Sequence, residues 1–405
     1  MISNYLINYR NVTIITVFSA SFGFLRNVLL GRSLSISDFS KYSLALTVIA
    51  ILSAILLFGQ HKGYIRFFIK NSLEDYNWKK PMFALIIISI VISSFILPII
   101  SKYYSTNPSF IFFCFCTIIC SIVIEMSANV LKSINEFNFA IFLQRTNKVI
   151  VAFLVLFVFL FDQLVLTKMF FLFGLVNALY SIFVLFIICK KIKAGSKKMP
   201  TSSFKAGFYF LLQDLIILIQ TYGINLIIVE KLGLDSLGVF FALNILLRIF
   251  EVFNQSTDFI TMPSSGSFNG KEVFIIFKKN IFIGAIISIF FIFFGDFSLS
   301  FIYDSKYDDY LNLINWVCLL GLIKLLEIIP TSIISGVFNE NALKKYVFYN
   351  FGITLIIVPL SIILMNTFNL LGAIISLIII HSFKMFYGTF LLIKKYMSKT
   401  KVINF

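Results

Sequence analysis

The chain has 405 residues, of which 59% are hydrophobic and only 13% charged. A soluble protein of that length needs far more charged surface, so the composition excludes a soluble globular class and fits a polytopic membrane protein. The formal net charge of +16 would suit a polyanion such as nucleic acid, but the placement of the basic residues assigns the charge to membrane topology instead.

A spanning helix needs about 20 apolar residues. In chain order, twelve stretches qualify: 11–32, 43–60, 81–101, 109–131, 146–161, 169–189, 206–228, 238–262, 277–302, 310–337, 346–366 and 369–393. The first lacks a basic n-region and an A-x-A cleavage site, so it reads as mature helix, not as a signal peptide. The expected fold class is therefore all-α, with about 12 transmembrane helices.

Placing the N-terminus in the cytoplasm puts only Arg32, Lys41, Lys102, Lys168, Lys231 and Lys306 on outer segments. Arg26, Arg248, Lys324 and Lys384 fall within spans, and the remaining 24 of the 34 lysines and arginines fall on inner segments. That asymmetry is the positive-inside rule, with both termini cytoplasmic and no nucleic-acid partner. Cys114, Cys116, Cys120, Cys189 and Cys318 lie inside or at the ends of spans with no metal-site spacing, and read as small apolar filler.

The chain carries an internal repeat. "LSISDFSKYSLAL" (Leu34 to Leu46) overlays "LGLDSLGVFFALN" (Leu232 to Asn244), so that Leu34 meets Leu232, Ile36 meets Leu234, Phe39 meets Leu237, Ser40 meets Gly238 and Tyr42 meets Phe240. Six spans lie on either side, and an even number of spans per repeat gives both halves the same orientation. The expected organisation is a six-helix bundle over 1–194, a basic, Gly- and Pro-containing cytoplasmic linker over 195–205, and a second six-helix bundle over 206–405.

Ionisable residues inside spans normally face a bundle interior or a watery cavity. At about 1.5 Å of rise per residue, Arg26, Arg248 and Lys324 lie about 20 Å from the cytoplasmic ends of their helices. Glu125, Asp214, Glu251, Glu327 and Lys384 lie lower, at roughly 10–16 Å. Arg248 and Glu251 are three apart on one helix, as are Lys324 and Glu327, so each pair could neutralise itself. Arg26 has no acidic residue at helical spacing. It needs a partner from another helix or a ligand, or it snorkels to the headgroups. Lys384 is expected to snorkel or to pack peripherally. A cationic cavity suits a phosphate, which arginine can grip with two parallel bonds. The carboxylates would bind a coupling Na+ or proton, or balance the cations. Pro330 frees the Leu326 carbonyl and predicts a kink.

The stretch "LLGRSLSISDFSKYSLALTVIAILSAILLFGQHKGYIRFF" (Leu29 to Phe68) resembles the opening of Wzx-type O-antigen and polysaccharide flippases. These belong to the multidrug/oligosaccharidyl-lipid/polysaccharide (MOP) exporter superfamily. The shared features are Leu30-Gly31 at a helix end, the turn Phe39 to Tyr42, Gly59 and, a few residues on, Arg66; Gly238 restores in the second repeat the glycine that Ser40 replaces, and Pro263 also fits. The resemblance implies two MATE-like bundles in a bacterial inner membrane, and an undecaprenyl-pyrophosphate-linked glycan flipped by alternating access for O-antigen and lipopolysaccharide biosynthesis. It implies a cationic cavity lined by Arg26 and Arg248, which occupy places comparable to the arginines of related flippases. With the in-span charges, the expected substrate contacts are Arg26, Arg248, Lys324 and Arg66, and the expected ion-coupling residues are Glu125, Asp214, Glu251 and Glu327. No cofactor is expected beyond the coupling ion. The expected partners are membrane lipids, a polysaccharide polymerase and a chain-length regulator.

The rivals are a cation-coupled multidrug antiporter, a peptidoglycan-precursor flippase, and a membrane-embedded polymerase or glycosyltransferase. An enzyme would need a constellation that is absent: the outer loop offers only Asp308-Asp309, His61 and His381 look isolated, and "GSFNGKE" (Gly266 to Glu272) lacks P-loop spacing. The expectation is a transporter and not an enzyme.

Overall fold

The computed structural model describes residues 2–61, 64, 68, 73–134, 136–161, 164–199, 201–264, 268–338 and 340–400. Thirteen α-helices account for most of them. They are α1 (Ile2–Ser33), α2 (Ile36–Leu56), α3 (Lys79–Tyr103), α4 (Pro108–Ser133), α5 (Phe137–Phe161), α6 (Leu166–Lys191) and α7 (Thr201–Leu218), followed by α8 (Ile224–Leu232), α9 (Leu234–Ser264), α10 (Gly270–Tyr303), α11 (Ile314–Val337), α12 (Glu340–Phe368) and α13 (Leu370–Thr400). Eleven helical stretches among the described residues are long and apolar enough to cross a membrane. The protein is a multi-pass, all-α membrane protein.

The helix ends follow local chemistry. The Ser35 hydroxyl accepts from the Asp38 N–H and starts α2. Asn269 and Glu272 bond reciprocally to each other's backbone N–H and start α10. α4 begins with Pro108, whose missing N–H costs nothing in a first turn.

The seventh expected span, 206–228, is where the structure departs from the sequence reading. It is not among the eleven stretches, because its α-helical ladder is interrupted by the π-helical turn Ile219–Gly223, with α7 on one side and α8 on the other. The chain divides into two compact units at this turn, Met1–Tyr222 and Gly223–Phe405. α7 packs on α2 within unit 1, whereas α8 packs on α9 and α12 within unit 2. Gly59 makes the first contact close: it has φ +63°, and a Cβ there would fall on the Gly207 carbonyl oxygen of α7.

The repeat is visible inside each unit. In unit 1, α4 packs on α6, α2, α3 and α5, and α1 packs on α5 and α2. In unit 2, α11 packs on α13, α9, α10 and α12, and α8 packs on α12 and α9. Each pairing in the first set has its counterpart in the second when α2–α6 are matched to α9–α13 and α1 to α8. Helix breaks recur at the repeated motif, between Ser33 and Ile36 and at Gly233, whose φ of +90° only glycine adopts readily.

The central helix of each unit is well enclosed. α4 buries Ile118, Ile122, Val123, Met126 and Val130, and α11 buries Leu320, Leu325, Ile329 and Ile333. The outer helices show the opposite pattern, with Phe282, Phe293, Phe297 and Phe301 of α10 more than 60% exposed. Exposed phenylalanine on a long helix is what a lipid-facing surface requires. Cys114, Cys120 and Cys318 are buried core residues.

Candidate functional site

In unit 1, Arg26 lies on α1 beside Asn27, which is buried. Its Nε and Nη2 donate to Asn27 Oδ1 at 3.3 and 3.1 Å. The amide satisfies one edge of the guanidinium but does not neutralise it. Among the described residues no carboxylate pairs with Arg26, and its Nη1 makes no hydrogen bond. The charge therefore persists on a half-buried side chain within an apolar helix.

Glu125 of α4 is held from α5, where Gln144 Nε2 donates to its two oxygens at 3.2 and 3.1 Å. The charges of Lys132 and Arg145 act on the same carboxylate. One turn further along α5, Asn147 donates to Asn177 at 2.8 Å and Asn177 to Thr117 at 2.7 Å, tying α4, α5 and α6 together. Asp214 of α7 lies 3.9 Å from His61 Nε2, just past the end of α2. His61 is thus not isolated. Arg66 lies outside the described residues.

In unit 2, Arg248 Nη1 pairs with Glu251 Oε2 at 2.9 Å, and the Arg248 side chain remains 49% exposed. The i,i+3 spacing on α9 gives the self-neutralised pair that the sequence offered as one reading. The second such pair does not form. Glu327 of α11 turns to α13 instead, where Lys384 Nζ lies 2.7 Å from Oε1 and His381 Nδ1 bonds Oε2. Each of the three residues is 7% exposed. Lys384 therefore neither snorkels nor packs peripherally, and His381 is not isolated. An ammonium buried at that depth needs a carboxylate, and among the described residues Glu327 is the one that pairs with it.

This leaves Lys324, one turn before Glu327, with no hydrogen bond or ion pair among the described residues. The charges acting on it are those of Glu251 and Glu327, opposed by Arg248 and Lys384. Around the cluster, Thr331 bonds the Tyr346 hydroxyl of α12 at 2.9 Å, and Ser332 bonds Asp258 of α9. Pro330 sits inside a continuous α11, and Gly388 of α13 gives it room: a Cβ on Gly388 would lie 2.8 Å from Pro330 Cβ.

At the outer loop, Ser300 donates to Asp308 at 2.6 Å, so the first member of the acidic pair considered for an enzyme is tied to the end of α10. Partial burial lowers the pKa of Lys306 in this loop.

No family model matches the chain, and no curated protein matches it in sequence. Its fold does have solved counterparts. An inward-facing multidrug resistance MATE family transporter of the MOP superfamily superposes with a TM-score of 0.72 at 15% identity, over 97% of this chain and 100% of that one. The MATE multidrug transporter DinF-BH, solved as a ligand complex, gives 0.68 at 12% identity, over 96% and 95%. A MOP superfamily transporter from Pyrococcus furiosus, described as having a binding pocket of reverse polarity that suggests a different function, gives 0.63 at 13% identity, over 97% and 96%. The fold of this chain is that of MATE transporters of the MOP superfamily.

Proposed function

We propose that the protein is a flippase that carries an undecaprenyl-pyrophosphate-linked oligosaccharide, such as an O-antigen or related surface-polysaccharide unit. It moves this lipid between the leaflets of a bacterial cytoplasmic membrane by alternating access. Both chain termini lie in the cytoplasm in this reading. The observation that carries it is the uncompensated guanidinium of Arg26. A cation left without a counter-charge at mid-span costs several kcal/mol unless a ligand supplies the charge, and a pyrophosphate supplies two or more.

Arg26 is pre-set for that role, because Asn27 orients the plane of the guanidinium and leaves the Nη1 edge for phosphate oxygens. Lys324 and the half-exposed Arg248 add a point charge and a second fork in unit 2. Such cations would each meet the pyrophosphate in the course of transport, and release would follow once hydration and the opposite leaflet compete for it. The polar polysaccharide would need no tight site of its own. Glu125, Asp214 and Glu251 are the carboxylates to which a coupling Na+ or proton would bind; Glu327 is already occupied by two bases.

The second reading is a cation-coupled multidrug antiporter, favoured by the likeness to MATE multidrug transporters. The two readings differ in the sign of the cargo. Export of surface glycan in a strain lacking its own flippase, compared between wild type and Arg26→Ala at matched membrane abundance, tests the first. Wild type should restore export, and Arg26→Ala should accumulate lipid-linked units inside. Failure of wild type with several glycans, together with protection against cationic dyes, would establish the antiporter instead.

A further inference from the structure

The loop after the described end of α2 and the stretch that joins the halves of the chain are stitched together at one end of unit 1. Asn77 N–H donates to the Lys197 carbonyl at 2.8 Å, Gly195 N–H to Tyr76 at 3.0 Å, and Lys197 N–H to Asp75 at 3.0 Å, forming a short parallel bridge. Trp78, fully buried, donates its indole N–H to the Lys193 carbonyl at 3.3 Å. Lys79 Nζ closes the C-terminus of α6 by bonding the Cys189 carbonyl at 2.9 Å. A segment that composition marks as a solvated linker is therefore a fixed strap.

The strap gathers seven lysines: Lys79 and Lys80 at the start of α3, Lys190 and Lys191 at the end of α6, and Lys193, Lys197 and Lys198 on the strap. Glu136 takes Lys191 at 3.3 Å and Asp75 takes Lys197 at 3.4 Å. Lys80, Lys190, Lys193 and Lys198 have no carboxylate partner among the described residues. Because α3 starts and α6 ends here, these ammonium groups stand where the chain leaves the apolar layer, at the depth of the lipid phosphates.

We propose that this platform binds the headgroups of anionic diacyl phospholipids, of the phosphatidylglycerol class, in the leaflet at that end of unit 1. Clusters of 4–8 lysines beside a spanning helix attract anionic lipid. A fixed backbone adds geometry, since lysines that need not be ordered on binding lose less entropy per contact. The charge alone would serve topology; four ammonium groups without a carboxylate partner among the described residues, two on the strap and two on the helix ends it is bonded to, go beyond that need. The inference is independent of the cargo.

The chain has two tryptophans, and Trp316→Phe leaves Trp78 as a reporter at the platform. The full-length variant is reconstituted in phosphatidylcholine vesicles containing phosphatidylglycerol brominated near the headgroup, and quenching of Trp78 is followed against its mole fraction. Quenching should occur at a lower mole fraction than with brominated phosphatidylcholine. Each lysine lost should raise the fraction needed by about fivefold, so Lys80→Gln, Lys193→Gln and Lys198→Gln combined should abolish the preference. Gly195→Pro keeps every lysine but deletes the donor to Tyr76, and should also weaken it. An unchanged preference in the triple variant would overturn the proposal, and an unchanged preference in Gly195→Pro would reduce the platform to diffuse charge and overturn it equally. Loss of quenching when a few mole percent of undecaprenyl phosphate is added would assign the site to the carrier lipid, and so overturn the assignment to phospholipid.

Discussion

Lys384 on α13 sets its ammonium 2.7 Å from the Glu327 carboxylate on α11, and His381, one turn earlier, holds the other oxygen. The two helices are thus joined by a buried three-residue cluster beside Pro330, where Gly388 lets them approach closely. Proline withdraws a backbone hydrogen bond from α11, and the ion pair one turn before it fixes the register that this bond would otherwise help to hold.

Breaking the cluster from one side should be severe. Glu327→Gln leaves Lys384 charged, buried and unpaired, a change worth about 3–5 kcal/mol. Thermal unfolding in detergent, followed by tryptophan fluorescence, should show a large loss. Glu327→Gln combined with Lys384→Met removes both charges and should recover most of it. If the double variant is as unstable as the single one, the pair is not what joins α11 to α13.

The contrast between this cluster and Arg248–Glu251 shows what a sequence can and cannot convey. Arg248 and Glu251 are close because an α-helix makes residues three apart neighbours, so the pair is legible from numbering alone. Lys384 finds Glu327 only after α11 and α13 have packed, and nothing local marks it. The seventh expected span differs again: in "LIILIQTYGINLIIV" the polar run Gln220-Thr221-Tyr222-Gly223 coincides with the π-helical turn Ile219–Gly223, but hydropathy averaged over a whole span conceals so short an interruption. The repeat is readable because its signature is a fixed offset, independent of packing.

Gly59 should tolerate no side chain. Left-handed backbone costs a residue with a Cβ about 1 kcal/mol, and the Gly207 carbonyl stands where the methyl would go. Gly59→Ala should therefore lower the unfolding midpoint by more than the strain alone accounts for. Gly23→Ala is the matched control: no atom lies within 4 Å of its Cβ position, and the helix gains propensity. Equal behaviour of the two variants would remove the close approach of α7 to the end of α2 as a determinant of unit 1.

Topology can be read from single cysteines at Ser37 and Asp235, both exposed at the start of the matched helices α2 and α9. Leu34, which the repeat also matches, is 3% exposed and unsuited to labelling. An impermeant maleimide should reach both positions from the same side of the membrane. Reaction from opposite sides would require an odd number of crossings per repeat and would exclude parallel halves.

Arg248 and Glu251 separate the two roles the carboxylates could play. Their exposed i,i+3 pair contributes only a few tenths of a kcal/mol to stability, so either substitution leaves the fold intact and transport is the informative readout. If Arg248 meets the pyrophosphate, Arg248→Ala removes a charge-assisted contact worth about 1.5–3 kcal/mol, or roughly ten- to a hundredfold in transport. Glu251→Gln then removes the carboxylate that competes with the phosphate for the guanidinium, and glycan transport should persist or rise. If Glu251 carries the coupling ion instead, Glu251→Gln should abolish transport while Arg248→Ala, which removes only the neighbour that holds the carboxylate, should be the milder change. The order of the two variants in one glycan-export assay, at matched abundance, decides between them. An anionic cargo demands that the arginine variant be the worse.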